Sequence, residues 1–437
     1  MKKLSLSLFM SVIYFSSFCQ WNYVGPEGLS GGWSTNNDIA IDTTGKPVVI
    51  FYERDLYKAV CLRFDGYQWV NVGNPGTDSF PIEYLCDFKI DNNNNCYILF
   101  KDSPTYKTSC IKFDGISWNY VGSQYVSAES TQHQTLAIDN TGVVYVAFYS
   151  QSGFNIVKEN GGSWQLFPTN GLTSNIAFPD MKFDVNNIAY LAYTDGSTFK
   201  ANCAKLVNDT WASAGNSNFS SQVAYYTRLE ITKNQDIYVA CDDPKISCFR
   251  LDSKSNTWIK AGISGLGGDY NGLVDLISDA DSRIYVSTSQ ISGDKARCFT
   301  FQNPEWVQLG INGISGAIAG YPNIAFNKYG KLYSTYNDFD LSKAVVKEYN
   351  DLTDISEIHS DYIVKLFPNP ARNQLHIEFS GEKAEIQFYN MMGNLVYEYR
   401  NGYHNVDINI ETFPKGVYIL KVKSHSNLVS QRKFIVY

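Results

Sequence analysis

Carboxylates are plentiful in this sequence of 437 residues and imidazoles are scarce, 43 Asp and Glu against five His. Four of the five histidines lie beyond residue 358, so a reaction centre in residues 20–350 has His133 alone to draw on. One imidazole cannot build a multi-histidine zinc or iron site, and neither HExxH nor a CxxC pair is present. A Ser-His-Asp arrangement would have to recruit the same His133, for which a surface or turn position is the simpler account. Gly265-Leu266-Gly267-Gly268 has the look of a phosphate loop, but no helical pattern follows it, which leaves a turn. The run Asp91-Asn92-Asn93-Asn94-Asn95 offers oxygen ligands for calcium, yet the equivalent stretches elsewhere are plain Asp-x-x-Gly turns. Paired carboxylates for general acid and base work are too common here to discriminate. The sequence therefore calls for no metal, no cofactor and no catalytic residue, and the chemistry it favours is recognition.

The elements that would position a binding surface follow from an internal repeat. Trp21, Trp69, Trp118, Trp164, Trp211, Trp258 and Trp306 are separated by 48, 49, 46, 47, 47 and 48 residues, and only Trp33 falls off this grid. Between them the text recurs: an alternation such as Ile39-Ala40-Ile41-Asp42, a turn such as Thr43-Thr44-Gly45, an apolar run such as Val48-Val49-Ile50-Phe51, then Val60-Cys61-Leu62-Arg63-Phe64-Asp65-Gly66. Each unit thus holds four short strands rich in β-branched and aromatic residues, separated by Gly, Asn and Asp turns. A period near 47 with four strands per unit predicts an all-β chain with a seven-bladed β-propeller over residues 20–350. The opening strand Trp21-Asn22-Tyr23-Val24-Gly25 has no unit of its own, and the last unit stops after Val345–Tyr349. The N-terminal strand is therefore expected to close the last blade.

The recurring tryptophans are expected to fill the gaps between neighbouring sheets, each burying apolar surface worth on the order of 2 to 3 kcal/mol. Trp33 breaks the grid and is the better ligand contact. Aligned units place Asn36, Leu85, His133, Phe178, Tyr226, Asn271 and Tyr321 at the channel mouth, followed two residues later by Asp38, Asp87, Thr135, Asp180, Arg228, Leu273 and Asn323. Variation at an otherwise repeated position suits a specific surface. Trp33, Asp38, Asp87, His133, Phe178, Asp180, Tyr226, Arg228, Tyr321 and Asn323 are therefore the candidate ligand-binding residues. An acid also recurs five residues before a lysine, in Glu53/Lys58, Asp102/Lys107, Asp195/Lys200 and Asp338/Lys343, with Gln290/Lys295 as a neutral version. These are expected as ion pairs across one hairpin, with a carboxylate ring for a cation or basic partner as the alternative. Cys61, Cys110, Cys203, Cys248 and Cys298 share one position of the repeat and read as small core residues. Cys241 and Cys248 flank a tight segment, would face each other across a hairpin, and leave a disulfide open.

Asp65-Gly66-Tyr67-Gln68-Trp69 and Asp114-Gly115-Ile116-Ser117-Trp118 are similar to the Asp-box of sialidase propellers but lack one residue between Asp and Gly. An arginine cluster for a sialic carboxylate is not recognisable either, so sialidase activity is not expected.

The two ends of the chain give an address. Lys2 and Lys3 precede an apolar run from Leu4 to Phe18, and Ser17-Phe18-Cys19 sets small residues where a signal peptidase cuts, which predicts a signal peptide over 1–19. That run is short for a membrane span, and bulky Phe18 before Cys19 speaks against lipidation. Residues 351–358 read as a linker. From 359 to 437 a different text begins, with Pro368-Asn369-Pro370-Ala371, a Gly393 turn, the strand Gly416-Val417-Tyr418-Ile419-Leu420-Lys421-Val422 and a closing Lys433-Phe434-Ile435-Val436-Tyr437. This segment resembles the type A C-terminal sorting domain of the type IX (Por) secretion system. The resemblance implies a small Ig-like β-sandwich, export through the type IX machinery, and release or surface anchoring in a Gram-negative bacterium.

Charge follows the same division. The tail is net +2 and residues 20–358 are net −11 within a total of −7, which disfavours nucleic acid as a partner. The expected product is a monomeric, secreted or surface-exposed binding protein with no transmembrane segment after processing and a glycan or protein ligand. A polysaccharide-active hydrolase or lyase using mouth carboxylates is the first alternative, and a structural envelope component the second.

Overall fold

The computed structural model describes residues 20–75, 80–243, 245–262, 266, 272, 274–289, 295–310, 312–350, 364–379, 384–390, 394–402, 405–424 and 429–437. The expected signal peptide, the linker, Asn271, Leu273, Gln290 and Gly393 lie outside those residues. Two compact units are present, Gln20–Tyr349 and the C-terminal residues from Asn350 to Tyr437.

Among the described residues, the first unit holds seven four-stranded sheets, each with its strands in sequence order apart from the last. Blade 1 runs Ser34–Asn71, blade 2 Ile82–Tyr120, blade 3 Thr131–Phe167, blade 4 Ile176–Ser213, blade 5 Tyr225–Lys260, blade 6 Val274–Gln308 and blade 7 Ala319–Asn350. Gln20–Tyr23 is hydrogen-bonded beside Lys343–Asn350 as the fourth strand of blade 7. Val24 N and Leu29 N continue that attachment, donating to Val346 O at 3.0 Å and Ala344 O at 2.8 Å.

Burial grades across each blade as the residue types require. The second strand of blade 1, Pro47–Glu53, is buried at all seven positions, and so is Leu332–Asp338 in blade 7. The fourth strand is short and largely wet, as in Trp69–Asn71. A strand buried on both faces reads as an unbroken apolar run, which is why the second strands lack alternation. Most turns leaving the first strand are closed by an Asx side chain. Asp42 Oδ1, for example, accepts Thr44 N and Lys46 N, each at 2.9 Å. Asp91 does the same for Asn93 N and Asn95 N, so the asparagine-rich run is a turn of the common type.

The core lies between blades. Seven apolar clusters each join consecutive sheets, from blades 1 and 2 through blades 6 and 7 to the closing pair of blades 7 and 1. The recurring tryptophan has a polar task in addition to its burial. Every indole N–H donates to a backbone carbonyl of the preceding blade's outer segment: Trp69 to Val24 O at 2.8 Å, Trp118 to Val72 O at 2.9 Å, Trp164 to Ser123 O at 3.3 Å, Trp211 to Pro168 O at 2.8 Å, Trp258 to Ala214 O at 2.7 Å, Trp306 to Ala261 O at 2.8 Å. Trp21 completes the circle on Leu309 O at 3.1 Å. Six of the seven tryptophans are followed four residues later by glycine with φ between +61° and +90°, and the next blade's indole packs where a Cβ would stand.

Two expectations are corrected. Within blade 5, Cys248 is paired with Ala240 and Cys241 with Ser247, so the two thiols point to opposite faces of the sheet. Cys241 packs toward blade 4 and Cys248 toward blade 6, and both are free. Of the four acid–lysine repeats, Glu53 with Lys58 is an ion pair, at 3.8 Å. Elsewhere the acid bonds to backbone: Asp102 Oδ1 accepts Lys107 N at 3.2 Å, Asp195 Oδ1 accepts Ser197 N and Thr198 N at 2.8 and 2.9 Å, and Asp338 Oδ1 accepts Asp340 N and Leu341 N at 3.1 and 3.0 Å. These acids are buried, and fixed amides of a tight turn compensate a buried carboxylate better than a solvated ammonium does.

The second unit has a three-stranded sheet built from Val364–Phe367, Gln374–Phe379 and Asn405–Asn409. Its four-stranded sheet is Leu395–Gly402, Ala384–Asn390, Gly416–Ser424 and Val429–Val436. One core draws on both, with Leu375 and Ile377 from the first and Ile386, Phe388, Leu420 and Phe434 from the second. The Pro368–Ala371 element staples the final strand. Asn369 Oδ1 accepts Ile435 N at 2.9 Å, Asn369 Nδ2 donates to Lys433 O at 3.1 Å, and Ala371 N donates to Ile435 O at 2.7 Å.

Two outcomes follow. Trp258→Phe keeps most of the apolar contact and strands Ala214 O, so it is expected to cost about 1 to 3 kcal/mol in urea unfolding; an unchanged midpoint would contradict the latch. Deleting residues 20–26 is expected to turn one cooperative transition into a broad one, and retained cooperativity would show that the ring closes without that strand.

Candidate ligand-binding site

The inner strands do not run straight into the channel mouth. Register breaks by one residue between Thr35 and Asp38, Leu85 and Asp87, Gln132 and Thr135, Ala177 and Asp180, Tyr225 and Arg228, and Gly320 and Asn323. At five of these bulges the extra residue is left-handed without being glycine: Asn36 at φ 52°, His133 at 51°, Phe178 at 49°, Tyr226 at 53° and Tyr321 at 55°. Asn tolerates that region, whereas each aromatic or His residue there carries strain of roughly 1 to 2 kcal/mol. A bulge of this kind re-aims the side chains that follow it.

The six residues that follow these breaks and Asp275 of blade 6 meet in one place. Asp38, Asp87, Thr135, Asp180, Arg228, Asp275 and Asn323, one from each blade, all line a single cavity of about 410 Å³ at the channel mouth. Lys89 and Lys182 line it two residues further along their strands, and Tyr84 and Tyr321 also contribute. Of the sequence-derived candidates, Asp38, Asp87, Asp180, Arg228, Tyr321 and Asn323 are therefore brought together. His133, Phe178 and Tyr226 form a chain of rings outside the cavity lining, with centroids 4.5 Å and 4.9 Å apart. Trp33 is also outside it, partly exposed and stacked on Phe339 at 6.2 Å.

Asp275 was missed. The alignment of blade 6 set Leu273 in its place, two residues early. Counting back four from the turn residue recovers it, since Asp38 precedes Asp42, Asp87 precedes Asp91, Asp180 precedes Asp184 and Asp275 precedes Asp279 by that interval.

The carboxylates are unequal. Asp87 Oδ2 reaches the next blade, accepting Leu136 N at 2.7 Å and Thr135 Oγ1 at 3.2 Å, while its Oδ1 holds Lys89 Nζ. Asp180 Oδ2 accepts Leu229 N at 2.7 Å and Asp275 Oδ2 accepts Ile324 N at 2.9 Å. These three bridge blades 2 to 3, 4 to 5 and 6 to 7, each carboxylate holding the amide just past the neighbour's mouth residue. The closing junction uses an amide side chain, Asn323 Nδ2 to Asn37 O at 2.7 Å. Asp38 has no such task. Its one bond is local, from Ile39 N to Oδ1 at 2.7 Å. Enclosure by protein pushes its carboxyl up to about 7, with Lys89 opposing and the charges of Asp87 and Asp275 adding to the rise. Burial likewise lowers the His133 imidazole, helped by Lys101, so this histidine is neutral at pH 7.

Lys182 Nζ is held by Glu230 Oε2, whose Oε1 accepts Ser278 Oγ at 2.6 Å. An irregular, charged and aromatic cavity can bind a small polar group, orient it, and offer one proton near neutral pH.

Residues 365–437 match the model of the secretion system C-terminal sorting domain. This tail is a sorting domain. It marks the chain for export by the type IX system, to the cell surface or beyond it, and the Pro368–Ala371 staple belongs to its fold. A stretch of 75 residues, 17% of the chain, is 36% identical to the ulvan lyase NLR42 of Nonlabens ulvanivorans and covers 14% of that protein. Among solved structures, the extracellular domain of the putative one component system BT4673 of B. thetaiotaomicron is similar with a TM-score of 0.50 at 12% identity, over 96% of this chain and 57% of that one. PorZ, a surface component of the type-IX secretion system of Porphyromonas gingivalis, is similar with a TM-score of 0.45 at 15% identity, over 90% of this chain and 58% of that one. The chain thus spans less than two thirds of these proteins, and at such identities the likeness concerns fold alone. No helix among the described residues is long and apolar enough to cross a membrane.

A pH dependence follows from Asp38. A carboxyl raised from its unfolded value near 4 to about 7 binds its proton more tightly in the folded state. The contribution of Asp38 to stability is therefore fully present below about pH 4 and is lost as pH rises through about 7, by on the order of a few kcal/mol at most. Asp38→Asn removes this slope, so the variant is expected to gain on the parent between pH 5 and 8 in urea unfolding. Parallel profiles would contradict it.

Proposed function

We propose that the chain is an exported binding protein whose seven-bladed ring takes a glycan or protein ligand at the channel mouth, delivered by its sorting domain. The observation that carries this is the convergence of one polar side chain from each of the seven blades on one cavity, aspartate in four of them with Thr135, Arg228 and Asn323 in the others. An apolar core needs no such polar ring, and the strained aromatic bulges beside it are tolerated where a surface must be shaped. Glycan-array and pull-down assays on the full chain test this. Tyr321→Asn removes a ring of the cavity lining while keeping a residue that accepts left-handed backbone. It is expected to weaken ligand binding at least tenfold, with little change in unfolding. Binding unaffected by this change would place the site elsewhere.

A second reading is favoured by Asp38 specifically. A carboxyl pushed up to about 7 is suited to general acid or base work, which would make the protein a polysaccharide-active hydrolase or lyase. Depolymerisation abolished by Asp38→Asn, with ligand binding retained, would support it. Binding without turnover supports the first reading.

A further inference from the structure

We propose that Cys61 and Cys96 form a disulfide site, a covalent bridge between blades 1 and 2 that closes once the chain has left the cytosol. Cys61 stands in the third strand of blade 1, paired with Ile50, and Cys96 opens the second strand of blade 2, paired with Phe113. Both are buried in the apolar cluster that joins these two sheets, at 1% and 0% exposure, and both are thiols in this structure. Their side chains meet across the gap, one thiol hydrogen-bonded to the other. The repeat shows that packing does not require this. Cys110 shares its cluster with Val144, Cys203 with Ile237, Cys248 with Ile284 and Cys298 with Leu332, the second member in each case opening the next blade's second strand as Cys96 does. Blades 3 and 4 set Ile156 and Ala189 in the same two places. An aliphatic side chain therefore serves wherever the pair is not needed, and among the described residues both places hold cysteine between blades 1 and 2 alone.

Compartment and chemistry point the same way. The sorting domain sends the chain out of the reducing cytosol, to surroundings in which disulfides form and persist. The contact also shows in the acidities of the two thiols. The bond with Cys61 and the charge of Arg63, which donates to Cys96, hold Cys96 below the usual thiol range, whereas burial and then Cys96 push Cys61 up. The oxidant is a disulfide of that compartment, carried by a small thiol or an oxidoreductase. With the ring closed neither sulfur is reachable, so the first exchange precedes the docking of blade 2 on blade 1. One cysteine thiolate attacks a sulfur of the oxidant, whose S–S bond breaks, giving a mixed disulfide and releasing one thiol. As docking brings the second cysteine up, its sulfur attacks the cysteine sulfur of the mixed disulfide and expels the other thiol. Both cysteine protons end on the two released thiols, so the cysteine pair loses two electrons and the oxidant gains them. The bridge secures a junction at which Asp38 makes no bond to blade 2, where Asn36 Nδ2 donates to Leu85 O at 3.2 Å. It does not depend on what the mouth binds.

Peptide mapping by mass spectrometry, after N-ethylmaleimide in denaturant, tests the inference on two preparations: chain recovered outside exporting cells, and full chain refolded from the reduced state in mixed reduced and oxidised glutathione. Both are expected to yield one linked peptide joining Cys61 to Cys96, with Cys110, Cys203, Cys241, Cys248 and Cys298 alkylated. Reductant is expected to lower the urea midpoint of the bridged chain. Cys61→Val and Cys96→Val borrow the residues that the repeat itself uses at those places, Val346 and Val144, so the fold is kept. Each is expected to abolish the linked peptide and the response to reductant. Alkylation of both Cys61 and Cys96 overturns the proposal, as does a bridge from either to another cysteine, or one joining Cys203 to Cys241 or Cys86 to Cys110, which share clusters, in its place. A midpoint that ignores reductant although the linked peptide is present overturns the part of the bridge in securing the junction. Where the two preparations disagree, or refolding fails, the exported chain decides.

Discussion

The ring depends on one repeated contact, an indole N–H donated to the backbone of the preceding blade. Packing alone tolerates sliding between sheets, whereas a hydrogen bond to a fixed carbonyl does not. The tryptophan therefore sets the angle at which consecutive blades meet, and the left-handed glycine four residues after most of them clears the space for the next indole. Because Trp21 makes the same bond to Leu309, the closing junction obeys the rule that governs the other six. A flat surface on each tryptophan would have suited stacking on sugars, but the indoles are committed to architecture. Recognition must come from residues the repeat leaves free.

Those residues are the ones at the bulges. The fold repeats its backbone and relaxes its side chains at one level of the channel, so seven positions become independent choices set around a common axis. Three aspartates there do structural work as inter-blade bridges at alternate junctions, and an asparagine closes the ring. Asp38 belongs to the same level without sharing the task. A charged group retained where no neighbour needs it is better explained by what enters the cavity than by what surrounds it.

Much of this was legible in the sequence. Seven tryptophans at near-constant spacing dictated seven blades, and an opening strand without a unit dictated closure, because edges need partners. The sorting domain announced itself in Pro368–Ala371 and the strand from Gly416. Six of ten proposed contact residues line the cavity. Asp275 escaped because the glycine-rich stretch before it blurs where the strand begins, and alignment by strand starts drifted two residues. Cys241 and Cys248 were misjudged through parity, since an odd offset across a hairpin sends side chains to opposite faces. The hairpin acids were assigned to lysines by proximity in sequence, yet burial hands a carboxylate to amides that cannot move away. Trp33 was singled out for irregularity alone; it lies outside the cavity lining, stacked on Phe339 and 41% exposed. Sequence reports which positions vary, and desolvation decides what their side chains hold.

The borrowed strand also sets the order of assembly. Trp21 and Leu309 are 288 residues apart along the chain, so the seam between them has by far the longest loop to close. Local hairpins within each blade form from neighbours a few residues away, and the circle is completed last. A topology of such high contact order folds slowly. During that interval the outer edge of Lys343–Asn350 stands unpaired and adhesive. A protein destined to leave the cell must therefore either finish this seam before transit or travel with its stickiest border guarded.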